Sequence, residues 1–136
     1  MNTTTQKLAA VFGVVFVIGA IAGFLAPNGG MSMQPTDPET AARALGIFPV
    51  NVLHNIVHLV FGLWGLAASR SWSGSSSYFR TAGIIYAVLA VCGFIIPDGL
   101  GLVPLGGNDI WLHAGLAVAM LAIGFTAKEG ARSVTV

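Results

Sequence analysis

The chain has 136 residues, enough for one ordinary domain, yet only 8% are charged against 55% hydrophobic, and mean hydropathy is +0.83. A soluble domain carries roughly 25% charged residues, so a water-solvated globule is excluded. A net charge of +1 from six scattered Lys and Arg leaves no footprint for a nucleic acid, and a single cysteine, Cys92, excludes an intrachain disulfide and a cysteine metal site.

Crossing the hydrocarbon core takes about 20 mostly apolar residues, and four segments meet that need. The first, 8–26, carries no charge and ends at Pro27. The loop that follows contains Thr36-Asp37-Pro38-Glu39, an N-cap with Pro at the first helical position, which predicts a short surface helix over 38–45. The second span, 50–68, closes on Ser69-Arg70. Residues 71–77 read Ser-Trp-Ser-Gly-Ser-Ser-Ser, a flexible-linker composition, with Trp72 and Tyr78 expected at the headgroup level. The third span, 81–96, stops at Pro97-Asp98, and the fourth, 109–127, stops at Lys128-Glu129. In lipid each span must be helical to satisfy its own backbone.

Lys7, Arg70, Arg80, Lys128 and Arg132 fall on one side of these spans and only Arg43 on the other. The positive-inside bias therefore predicts cytoplasmic N and C termini, with the 28–49 and 97–108 loops facing outward.

The chain also repeats itself. Gly23-Phe24-Leu25-Ala26-Pro27 returns 70 residues later as Gly93-Phe94-Ile95-Ile96-Pro97, and at the same offset Gly13 meets Gly83, Phe16 meets Tyr86 and Ala20 meets Ala90. Leu45-Gly46-Ile47-Phe48-Pro49 parallels Leu100-Gly101-Leu102-Val103-Pro104 at an offset of 55. Span one thus resembles span three, and span two resembles span four. Two copies of a two-helix unit in one orientation imply a pseudo-two-fold axis along the membrane normal. Lys7 before an apolar run, with small residues at Ala22, Gly23 and Ala26, also fits a cleavable signal; a first span that repeats in the third argues for its retention.

All three histidines fall in spans two and four. The offset of 55 pairs His58 with His113 and His54 with Asp109, so each copy offers an i, i+4 pair on one helix face. That face continues through Asn51, Asn55, Gly62, Gly65 and Ser69 on one helix, and Ala117, Met120 and Gly124 on the other. Two polar, small-residue seams predict close packing of span two on span four.

Three chemistries suit the cluster. His54, His58, Asp109 and His113 form a reasonable ligand set for a divalent metal ion such as zinc, with Asn51, Asn55 or Asn108 orienting them. His58 and His113 are placed as two axial ligands of haem. Ionisable groups inside a membrane also mark proton or polar-solute paths, which four short helices would build only as an oligomer. Against these stands plain packing, in which Asn51, Asn108 and Asp109 cap helices and the histidines hydrogen-bond across the bundle in a structural or accessory subunit of a larger complex. Trp64 and Tyr86 read as packing residues and Trp111 as part of the aromatic belt. No GxSxG, Walker loop or HExxH is present, so an enzyme is not expected.

The block Leu-Gly-Ile-Phe-Pro-Val-Asn-Val-Leu-His-Asn-Ile-Val-His-Leu-Val-Phe-Gly at 45–62 resembles the signature of an uncharacterised bacterial family of small four-span membrane proteins, a domain of unknown function. Leu102-Val103-Pro104 followed by Trp111-Leu112-His113 is similar to that family's second block. The resemblance covers roughly residues 8–127. It implies a four-helix architecture in a bacterial cytoplasmic membrane and supplies no activity. The expectation is one integral membrane domain over 1–136, an all-α four-helix transmembrane bundle of two repeated units.

Overall fold

The computed structural model describes residues 3–129; Arg132, counted above among the cytoplasmic basic residues, lies outside them. Among the described residues four α-helices form the body of the molecule: α1 Thr4–Phe24, α2 Val52–Ala68, α3 Trp72–Ile95 and α4 Asn108–Thr126. α1, α3 and α4 are long and apolar enough to cross a membrane. α2 has 17 residues, about 26 Å at ~1.5 Å per residue, and is continued at its N-terminal end by a short strand.

Helix starts follow capping chemistry. Thr3 and Gln6 form a reciprocal capping box on α1. The Asn51 side chain accepts from the His54 backbone N–H at 2.9 Å at the start of α2. The α3 start corrects the sequence reading, because residues 72–77 are helix rather than linker. Ser71 caps it, accepting from Gly74 N at 3.0 Å. Ser75 is buried and donates to Ala68 O at 3.0 Å and Ser71 O at 2.9 Å. Serines that satisfy backbone carbonyls at a helix start are compatible with helix, whereas their composition alone reads as coil.

The outer loop is a second correction. No helix forms over 38–45. Asp37 instead caps a single turn, accepting from Glu39 N at 2.9 Å, and β1 Ala42–Ala44 pairs antiparallel with β2 Phe48–Val50, Ala42 opposite Val50. The hairpin turn places Leu45 at φ 54° and Gly46 at φ 72°, the left-handed backbone that tight hairpins need. Arg43 donates to Pro38 O at 3.0 Å and Ile47 O at 3.4 Å, so the one basic residue of this loop is used to hold the ribbon.

α1 packs on α2 and α3 packs on α4 as two hairpins, and their contacts repeat at the offsets seen in the sequence. A Cβ at Gly13 would meet Leu66 N at 2.8 Å, and one at Gly83 would meet Leu121 N at 3.0 Å. Only glycine permits such approach. Gln6 donates to Ser69 O at 3.0 Å, and its counterpart Ser76 donates to Gly124 O at 3.4 Å. Leu100 and Gly101, counterparts of Leu45 and Gly46, are also left-handed, at φ 59° and 77°. Phe16 and Tyr86, counterparts of each other, stack with centroids 5.6 Å apart and planes 9° from parallel, which puts the pseudo-two-fold axis between their rings.

Close packing of α2 on α4 is not found. Gly62 approaches α1 at Val17 and Gly13, Gly65 lies between Ala9 of α1 and the Tyr78 ring of α3, and Gly124 approaches α3 at Arg80 and Phe79. Apart from Gly65 these glycines serve within a hairpin, and the hairpins meet through larger groups: Phe12–Phe79, Phe61–Tyr86 and Trp64–Tyr78. Tyr78, expected at the headgroups, is fully buried in this layer. Trp64 and Tyr86 pack in the core, as expected, and Trp111 is exposed. The branched aliphatics Val11, Val15, Ile18, Val60, Leu63, Val88 and Val118 point outward, a surface suited to lipid.

Candidate functional site

The N-terminal turns of α2 and α4 end up side by side at the loop end of the bundle. Asn51 anchors that end, with Nδ2 donating to Met33 O at 3.0 Å and Leu102 O at 2.8 Å. Asn108 reciprocates by donating to Ile47 O at 3.3 Å. The two acceptor carbonyls, Ile47 and Leu102, are counterparts in the repeat, so each copy's loop is tied to the other copy's helix start.

His54, His58 and His113 converge, each offering a ring nitrogen within 4.8 Å of the other two. The Nε2 atoms of His54 and His58 stand 3.2 Å apart. Nitrogens bound to one tetrahedral zinc at ~2.0–2.1 Å lie about 3.4 Å from each other, so this pair is already near a ligand spacing. Asp109 is outside that triad. Its Oδ2 lies 3.4 Å from His54 Nδ1, behind the ring and fully buried. Carboxylate, imidazole and metal in that order is a recurrent way of fixing a ligand's tautomer. The sequence reading put Asp109 among four candidate ligands; the geometry places it beside the His54 ring, outside the three converging nitrogens.

Several buried polar atoms here have no hydrogen-bond partner: both carboxylate oxygens of Asp109, Nδ1 of His54 and of His113, Oδ1 of Asn55 and the Tyr86 hydroxyl. The 3.4 Å His54–Asp109 contact exceeds the ~2.7–2.9 Å of a charge-assisted hydrogen bond. A cluster of orphaned polar atoms is characteristic of a site completed by an ion or water. His54, His58, His113 and Tyr86 line one cavity of about 90 Å³, room for an ion and a water or two. None of the three asparagines bonds a histidine ring. Asn51 and Asn108 hold loops, and Asn55 donates to Gly30 O at 2.8 Å.

Two residues enter that the sequence reading did not assign to the site. Tyr86 lies over His113 with centroids 5.3 Å apart, as its counterpart Phe16 lies against His58 at 5.7 Å. The repeat held the signal, since Tyr86 differs from Phe16 by one hydroxyl. Gly19 borders His58, whose Nδ1 would be 3.9 Å from a Cβ at that position.

Residues 6–126 match the family described as a domain of unknown function, DUF4383. The chain belongs to that family. The match spans both hairpins and therefore the whole polar cluster. No curated protein and no solved structure matches the chain.

Proposed function

We propose that this DUF4383 protein is a multi-pass protein of the bacterial cytoplasmic membrane that holds a divalent metal ion between its two hairpins, on the outward side. His54, His58 and His113 are the ligands, Asp109 orients His54, and a fourth position is open. The observation that carries this reading is the convergence of three ring nitrogens within 4.8 Å beside a buried carboxylate that has no hydrogen-bond partner. Three imidazoles with an open position suit zinc and similar ions. The protein is read as a binding protein rather than an enzyme.

Haem fits less well. With His58 and His113 as axial ligands the porphyrin would fill the plane between them, where His54 already stands 3.2 Å from His58. Packing alone leaves the Asp109 oxygens and the His113 Nδ1 unsatisfied, at a cost of about 1–3 kcal/mol for each such group.

The test is a cobalt(II) titration of detergent-purified protein, read by absorption and by metal analysis. Wild type should take up one equivalent with a tetrahedral spectrum, and His58→Ala/His113→Ala should take up none while keeping its helical circular dichroism. Equal uptake by both proteins, or none by wild type, would sink the reading.

A further inference from the structure

His54 and His58 each face two ways. Their Nε2 atoms stand 3.2 Å apart, and both residues line the 90 Å³ cavity and also, with Asp109, a groove of about 380 Å³. That volume is in the range of small-molecule sites. Apart from His54, His58 and Asp109, its lining is apolar or glycine, with Val11, Val15, Phe16 and Gly19 of α1 along one wall and Leu112 and Leu116 of α4 among the rest. The rim residues Val11, Val15 and Leu45 are 55%, 59% and 75% exposed, so the groove opens sideways onto the lipid-facing surface. A side chain is missing at Gly19, where the groove passes His58.

A metal on Nε2 leaves Nδ1 as an N–H donor. His54 has Asp109 behind its Nδ1. His58 has no such partner among the described residues; its single hydrogen-bonding contact is through Nε2, and its Nδ1 faces Gly19 and the groove. Charge points the same way. A divalent ion with three neutral imidazoles and one carboxylate keeps an excess positive charge, which is costly in a low-dielectric interior. One more anion, carried on an apolar chain, would cancel that charge and accept from His58.

Resting on the metal reading, we infer that the groove binds a long-chain carboxylate from the surrounding bilayer, its head on His58 Nδ1 and its chain along the α1 wall. The head does for His58 what Asp109 does for His54, and the second hairpin's carboxylate is matched by a ligand's.

The test uses intact protein in non-ionic detergent, loaded with cobalt(II), with labelled oleate as probe. Oleate should bind at one equivalent and perturb the cobalt spectrum, and acetate at the same concentration should not. Val15→Trp, at a position 59% exposed and so tolerant of bulk, should keep cobalt affinity and bind oleate at least about tenfold more weakly by closing the rim. Gly19→Leu, whose added carbons fill the groove beside His58, should bind oleate at least about tenfold more weakly per cobalt bound and covers a folding failure of the first variant. Cobalt binding with no oleate binding would overturn the inference alone, as would unchanged oleate affinity in folded Gly19→Leu or Val15→Trp. Equal binding of a C18 alcohol would overturn the carboxylate head. Failure of wild type to bind cobalt would overturn the metal reading and this inference together.

Discussion

The two hairpins agree where they pack and differ where they bear polar groups. Gly13 against Leu66 is matched by Gly83 against Leu121, Gln6 to Ser69 by Ser76 to Gly124, and Leu45-Gly46 by Leu100-Gly101. At the loop end only His58 and His113 correspond in kind. His54 faces Asp109 in the alignment of the copies, Asn55 faces Ile110, and Asn51 faces Gly106. Packing is satisfied equally by two identical units, because Gly13 and Gly62 press within the first hairpin and Gly83 and Gly124 within the second. A site shared between units is not: two copies of His54 would supply a fourth imidazole and no carboxylate. The asymmetry replaces a symmetric arrangement of four imidazoles with three converging imidazoles and one buried carboxylate.

Three experiments act on that comparison, and the largest effect belongs to the packing that the copies share. Gly13→Ala puts its Cβ 2.8 Å from Leu66 N and 2.9 Å from Gly62 O, two backbone atoms, whereas Gly83→Ala meets the Leu121 side-chain carbons at 2.8 and 2.9 Å and a single backbone atom, Leu121 N, at 3.0 Å. Overpacking costs about 1–3 kcal/mol, so Gly13→Ala should destabilise by about 3 kcal/mol and Gly83→Ala by about 1 kcal/mol, measured by thermal unfolding in detergent. Equal losses would show that the contacts are equivalent in rigidity as well as in place.

The next effect belongs to the acid that breaks the symmetry. Asp109→Asn should retain one equivalent of cobalt with affinity lowered about 10–100-fold, the usual consequence of losing a partner behind a ligand. A loss as complete as that of His113→Ala would place Asp109 on the metal. The smallest effect concerns the reciprocal loop ties. Asn51→Ala removes a cap and two bonds from a buried residue and should cost about 1.5 kcal/mol. Asn108→Ala removes one exposed 3.3 Å bond and should cost less than about 0.5 kcal/mol. Both are read from the same unfolding curves.

Much of this was legible in the sequence. Pro27, Ser69-Arg70, Pro97 and Lys128 bracket helices because each interrupts either the backbone ladder or the apolar run. The offsets of 70 and 55 carry into three dimensions residue for residue, since the glycines that mark the repeat are the ones pressed against the neighbouring helix. The buried residues of α4 are Asp109, His113, Ala117, Met120 and Gly124, the face expected from i, i+3 and i+4 spacing. Other features could not be read locally. The start of α3 depends on carbonyls of α2 and α4 that accept from Ser75 and Ser76. The 42–50 ribbon depends on a leucine held at positive φ, which propensity counts against. That the seams of α2 and α4 would meet only at their polar ends depended on which helix each glycine would press, and spacing within one helix is silent on its partner.

Leu45 and Leu100 carry one more consequence. Each is a bulky residue held in left-handed backbone, at about 1–2 kcal/mol of steric cost, and each is exposed, at 75% and 76%, so little burial within the protein offsets that cost. In a bilayer the offset comes from lipid. The repeat relates the two leucines, so each hairpin presents the same exposed side chain at the same place in its loop. One such peg in lipid would set only a depth; a pair, one on each hairpin, would also resist tilt.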